Sequence, residues 1–170
     1  NLSNNATVTI DYVPAAANDR NTTPGTPGQP VTINAASNDT AGDTVDVSTV
    51  VLNASSVFGG IQVSPREVSV SGVGTWTADA LGNVTFTPEA GYTIDPPVIS
   101  YTIKDNQGNS SNAATITIDY APITSPDLSI GNPINTPVVV DVTANDITGD
   151  LIDPATVSLV NPGNGTSIVQ

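Results

Sequence analysis

The sequence contains no cysteine, no histidine and no methionine, and only three basic residues, Arg20, Arg66 and Lys104, in 170 positions. Without cysteine no disulfide or thiolate metal site can form, and thiols imply neither an oxidising nor a reducing compartment. Without histidine and cysteine the commonest general base and the strongest nucleophile are missing, and no serine stands in a Gly-x-Ser-x-Gly elbow. Catalysis would have to come from paired carboxylates in a cleft, yet the acidic residues fall mostly in turn-rich stretches. The expectation is a protein that is not an enzyme, with no catalytic residue, no metal ligand and no cofactor. Sixteen acidic residues against three basic ones give a net charge of −13, which repels phosphate backbones and anionic lipid surfaces and argues against nucleic acid as a partner. No apolar run approaches the roughly 20 residues of a membrane span, and nothing has the pattern of a signal peptide, so membrane insertion is not expected.

What is present is β-forming. Hydrophobic residues make up 38% of the chain, drawn mainly from Val, Ile, Ala and Leu, with only seven aromatics, while Gly and Pro number fourteen each. No segment of ten or more residues has the apolar spacing of a helix. Short β-branched runs bounded by turn residues predict strands over 30–36, 47–52, 60–64, 66–72, 74–78, 83–88, 98–104 and 113–120. Within "GTWTA" and "NVTFTP" the alternation puts Trp76, Ala78, Val84 and Phe86 on one face and Thr75, Thr77, Thr85 and Thr87 on the other. "DALG" before Asn83 and "DNQGNSSN" at 105–112 read as hairpin turns with Gly82 and Gly108 available for positive φ. Tyr101 and Ile103 point inward, so Lys104 faces solvent. An isopeptide cross-link would need a buried, neutral amine, and Lys104 does not qualify.

The chain also matches itself. "ATVTIDY" at 6–12 answers "ATITIDY" at 114–120 at a shift of 108, and "AASNDTAGD" at 35–43 answers "VTANDITGD" at 142–150 at a shift of 107. A period of this size suits one β-sandwich and exceeds that of a solenoid repeat. The reading is therefore tandem: residues 1–12 as the last strand of a preceding repeat, 13–120 as a complete repeat, and 121–170 as the first part of the next. The chain is expected to be a window on a longer repetitive polypeptide. The segments 13–30 and 121–137 carry four prolines each and read as stiff linkers.

Two further patterns bear on ligands. Asp39, Asp43 and Asp46 gather in one loop, and Asp146, Asp150 and Asp153 recur in the next repeat. Calcium wants six to eight oxygens, but the spacing fits no EF-hand, and the favoured reading is that these residues end a strand and discourage edge pairing. Eight Asn-x-Ser/Thr sequons occur, at Asn1, Asn5, Asn21, Asn38, Asn53, Asn83, Asn109 and Asn164. In a chain this rich in Asn, Ser and Thr, roughly half that number would arise by chance, so they are weak evidence of glycosylation.

The run "GTWTADALGNVTFTPEAGYTIDPPVISYTIKDNQGNSSNAATITIDYAP" at 74–122 resembles the fibril repeat of the CshA type, found in giant cell-surface adhesins of bacteria; similar repeats occur in large secreted adhesins of gliding bacteria. "GTWT", "VTFTPEAGYT" and "YTIKDNQGN" carry the likeness, with "NDTAGD" more loosely. The resemblance implies an all-β fold of tandem Ig-like antiparallel β-sandwiches, an extracellular stalk or filament at the bacterial cell surface, neighbouring repeats as partners, and ligand recognition in another region. It supplies no site residues. Two functional expectations follow: a structural spacer, or an Ig-like module that itself binds a carbohydrate or a surface. The scarcity of aromatics free to stack on a sugar favours the spacer.

Overall fold

In a computed structural model, residues 4–146 and 149–158 are described. The sequons at Asn1 and Asn164, residues 1–3 of the predicted first strand and the last residues of the third segment lie outside them.

The alternating runs form strands because each can bury one face of a pleated ribbon and solvate the other. In chain order these are β1 (Asp19–Arg20), β2 (Val31–Asn34), β3 (Val45–Asn53), β4 (Ile61–Ser64), β5 (Glu67–Val70), β6 (Gly74–Ala78), β7 (Asn83–Pro88), β8 (Ile99–Asp105) and β9 (Ala114–Thr117). Each of the eight strands predicted between residues 30 and 120 is present, shortened or extended by a few residues at its ends. They assemble into a four-stranded sheet in the order β1-β9-β8-β3 and a five-stranded sheet in the order β2-β7-β6-β5-β4. All pairings are antiparallel except β1 with β9. The protein is all-β, with only two single-turn 3-10 segments among the described residues.

Register explains the core. Trp76 lies opposite Phe86 and Val68, and Phe86 opposite Val31, so one row of large side chains crosses the second sheet. Trp76 and Phe86 pack with ring centroids 4.6 Å apart and planes tilted by 41°, and Tyr92 meets Phe86 edge-on at 6.2 Å. Leu52, Tyr101 and Ala114 form the corresponding row of the first sheet. Both rows are buried except for the half-buried Val31, which packs against the one apolar cluster the others form. Lys104 is exposed, as the alternation requires. Gly82 and Gly108 hold positive φ at the two predicted hairpin turns.

Two features differ from the sequence reading. The stretch 13–30 is not a linker: it forms the edge of the first sheet, through β1 and the isolated pairings of Ala15 with Ala41 and Gly25 with Tyr120. The segment has no period-2 apolar pattern because much of its pairing is made by side-chain amides. Asn112 Oδ1 accepts from the Ala16 N–H at 3.0 Å and its Nδ2 donates to the Ala16 carbonyl at 2.9 Å. Asn21 does the same for both backbone groups of Asp119. Residues 4–12, predicted as a strand, carry no strand hydrogen bonds among the described residues, and Val8, Ile10 and Tyr12 are exposed.

Candidate functional site: a loop that clasps the chain

The most elaborate polar site lies where the loop after β2 meets residues 13–19. Asn34 ends β2 by accepting the Ala36 N–H on its side chain, and the chain then turns through Asn38, Asp39, Gly42 and Asp43. Besides the Ala15–Ala41 pairing, three contacts tie this loop to residues 13–18. Asp39 Oδ1 accepts the Ala17 N–H at 2.7 Å, Asn38 Nδ2 donates to the Asn18 carbonyl at 3.1 Å, and Gly42, at φ 76°, packs against the Val13 carbonyl where a Cβ would collide. Residues one period later repeat all three. Asp146 Oδ1 accepts the Ser125 N–H at 2.5 Å, Asn145 Nδ2 donates to the Pro126 carbonyl at 3.1 Å, and Gly149, at φ 84°, packs against the Ala121 carbonyl with no room for a Cβ. The sequence repeat is thus also a repeat of contacts.

Within residues 13–120 the clasp is locked to the core by Tyr101. Its hydroxyl lies 2.8 Å from the Ala35 carbonyl, 3.0 Å from that of Ala17, 2.9 Å from Asp19 Oδ2 and 3.2 Å from both carboxylate oxygens of Asp39. One hydroxyl proton cannot serve five oxygens. The cluster is relieved when the carboxylate pair itself keeps a proton, and burial favours this. Desolvation pushes Asp19 up to about 6, with the nearby Asp39 adding to the rise and hydrogen bonds from Tyr101 and Asn38 opposing it. Asp39 is raised for the same first reason, against the Ala17 N–H and Tyr101 hydroxyl. Tyr101 is driven far up by its own burial and by the two carboxylates. Both aspartates are buried.

The predicted Asp39, Asp43 and Asp46 group does not converge. Asp39 faces Tyr101, Asp43 accepts the Thr44 N–H, and Asp46 accepts the backbone N–H and hydroxyl of Ser48 inside a bulge of β3. Asp153 likewise caps a 3-10 turn. Asp43 instead joins Asp11 and Asp105, and Asp150 joins Asp95 and Asp119, each trio with carboxylate oxygens within 4.8 Å of one another. Among the described residues these are the two places where three carboxylates could share a cation. They are related as the clasps are: Asp11 and Asp119 are period mates, as are Asp43 and Asp150. Sequence spacing concealed both because each trio draws on three separated stretches.

Of the six sequons among the described residues, all but that at Asn5 have structural employment. The Nδ2 groups of Asn21, Asn38, Asn53, Asn83 and Asn109 all donate hydrogen bonds within the fold. Their abundance reflects turn and edge chemistry, which sequons counted by pattern cannot separate from glycan acceptors.

No helix among the described residues is long and apolar enough to cross a membrane. No curated protein and no solved structure matches the chain. The family model for the surface adhesin CshA repetitive domain matches residues 11–118, which span the two sheets, the clasp and Tyr101 with its carboxylates, and the chain belongs to that family.

Proposed function

We propose that this chain is a stalk segment of a bacterial surface adhesin, in which Ig-like β-sandwiches follow one another outside the cell and hold a distal adhesive region away from it. The observation that carries this reading is the recurrence of the same clasp one period apart, in a family of adhesin repeats: a unit whose contacts recur is built to be stacked. The acidic surface, with a net charge of −13, opposes lateral clumping. The alternative, a module that binds glycans, needs exposed rings. Trp76, Phe86, Tyr101 and Tyr120 are buried, and the exposed rings, Phe58 and Tyr12, come singly from separated stretches of the chain, which supports the spacer better than a stacking platform.

A sandwich of this size is roughly 40 Å long, because its longest strands, β3 and β8, have nine and seven residues rising about 3.3 Å each and end loops add the remainder. Chains of two, four and six repeats are expected to lengthen nearly linearly in small-angle scattering or electron micrographs. Growth of the maximum dimension as the square root of repeat number would mark flexible tethers and refute the stalk.

A further inference from the structure

The second clasp does more than hold its own linker. Gly149 sits where a methyl group would stand 2.9 Å from Pro27 Cγ of the complete repeat, and Gly149, Asp150 and Leu151 line a surface cleft together with Ile94 and Asp95. Asp150 completes the trio with Asp95 and Asp119. At the other end of the repeat, Asn109 Nδ2 donates to Asp11 Oδ2 at 2.8 Å, so the 105–112 hairpin reaches the Asp-Tyr end that precedes it. Each end displays half of one arrangement.

We propose that successive repeats meet through a preformed junction. In it Asn145, Asp146 and Gly149 of the downstream repeat grip the linker, and Gly149, Asp150 and Leu151 seat on the Pro27, Ile94 and Asp95 edge of the upstream one. The partner of that edge is the next copy of the repeat in the same chain. The proposal rests on the tandem reading and adds the surface that makes it rigid. Its logic is steric and electrostatic. Gly149 is the only residue type that satisfies both the left-handed φ and the approach of the Ala121 carbonyl. Closing the junction brings Asp150 toward Asp95 and Asp119, and the Arg20 guanidinium, 3.6 Å from Asp119, offsets only part of that repulsion. Asp146 lines the same cleft, with one oxygen occupied by the Ser125 N–H. The junction is thus held by shape, with the linker tied to the upstream repeat by the Ala121 N–H donated to the Gly25 carbonyl at 2.9 Å, against like charge.

The test uses the full 170-residue chain labelled with nitrogen-15 and amide hydrogen exchange. In the unaltered protein the Ser125 N–H is expected to be protected by its bond to Asp146. Gly149→Ala should accelerate its exchange at least tenfold while the amides of β8 keep their protection, and Asp146→Ala should do the same without disturbing a left-handed residue. Asp150→Asn retains an acceptor for the Leu151 N–H but removes one charge of the trio, and should slow Ser125 exchange severalfold. A wild-type Ser125 amide that exchanges as an unprotected one, or one indifferent to Gly149→Ala and Asp146→Ala, overturns the junction. So does acceleration by Asp150→Asn, or a simultaneous loss of protection in β8. An unprotected Ser125 beside a length series that still grows linearly would sink the junction and leave the stalk standing, whereas a protected Ser125 beside a length series that grows as the square root would sink the stalk, so the two readings fail separately.

Discussion

At the scale of single residues, Tyr101 is the point where core and clasp are one structure. Its ring packs in the first sheet while its hydroxyl faces Asp19 and Asp39, so Tyr101→Phe keeps the ring and removes the donor. Leaving two buried carboxylates without it is expected to cost about 2–3 kcal/mol, read from urea unfolding. The pair also sets a pH dependence. Asp19 binds a proton in the folded protein up to about pH 6, against an ordinary value of 3.8, so between those values the native state holds more protons than the unfolded one. Its stabilising contribution is complete below pH 3.8 and is lost as pH rises through 6. The melting temperature should therefore climb as pH falls from 7.5 toward 5, and Asp19→Asn should flatten that slope; a melting temperature that falls steadily over the same interval would contradict the shared proton. Sequence alternation located Tyr101 correctly, since an aromatic between Ser100 and Thr102 has one buried face to occupy. It could not locate its partners, because Asp19 stands in "AANDRNTTPG", where no period exists and an aspartate reads as a solvated turn residue.

Among the elements, the hairpins were the most legible part of the fold and β1 the least. A turn glycine between two alternating runs carries its own mechanism, whereas a two-residue parallel edge held by Asn18, Asn21 and Asn112 leaves no apolar trace. The bulge of β3 was equally hidden: Asp46 was visible as a charge, but its bonds to Ser48, and the Thr49 hydroxyl that accepts the Lys104 N–H at 2.8 Å, depend on a register shift. The two turn glycines make a controlled comparison. Both have positive φ, but a methyl group at Gly82 would stand 2.9 Å from the Ala36 Cβ, while one at Gly108 would meet nothing within 4 Å. Gly108→Ala should cost about 1–2 kcal/mol, the penalty of a left-handed side chain, and Gly82→Ala more, since the β2 end must also move. Equal losses in chemical unfolding would show that the Gly82 turn does not press on Ala36. The same turn gives a pH effect of opposite sign to that of Asp19. Asn83 holds the Asp79 carboxylate below its ordinary range through its side chain and backbone N–H, a contribution present above pH 3.8 and lost as pH falls further. Stability is thus expected to pass through a maximum on the acid side of neutrality.

For the whole molecule the distribution of buried surface decides what folds as a unit. With no disulfide or thiolate site, cohesion comes from the core, and the buried apolar side chains run from Pro14 to Tyr120. The described part of 121–158 adds no buried apolar residue, and Val8, Ile10 and Tyr12 before the repeat are exposed. Trp76, 1% exposed and packed on Phe86, is the largest element of that core, and Trp76→Ala should cost about 3–5 kcal/mol. Residues 13–120 expressed alone should then unfold in one cooperative transition, with a melting temperature close to that of the full chain, because the flanking segments contribute contacts to their own clasp and junction rather than to the core. Circular dichroism and calorimetry on both chains make the comparison. A shorter chain that melts broadly or many degrees lower would mean that the flanking segments share the stabilising surface. Cohesion would then be a property of the stack, as in solenoids, where a repeat depends on its neighbours for burial.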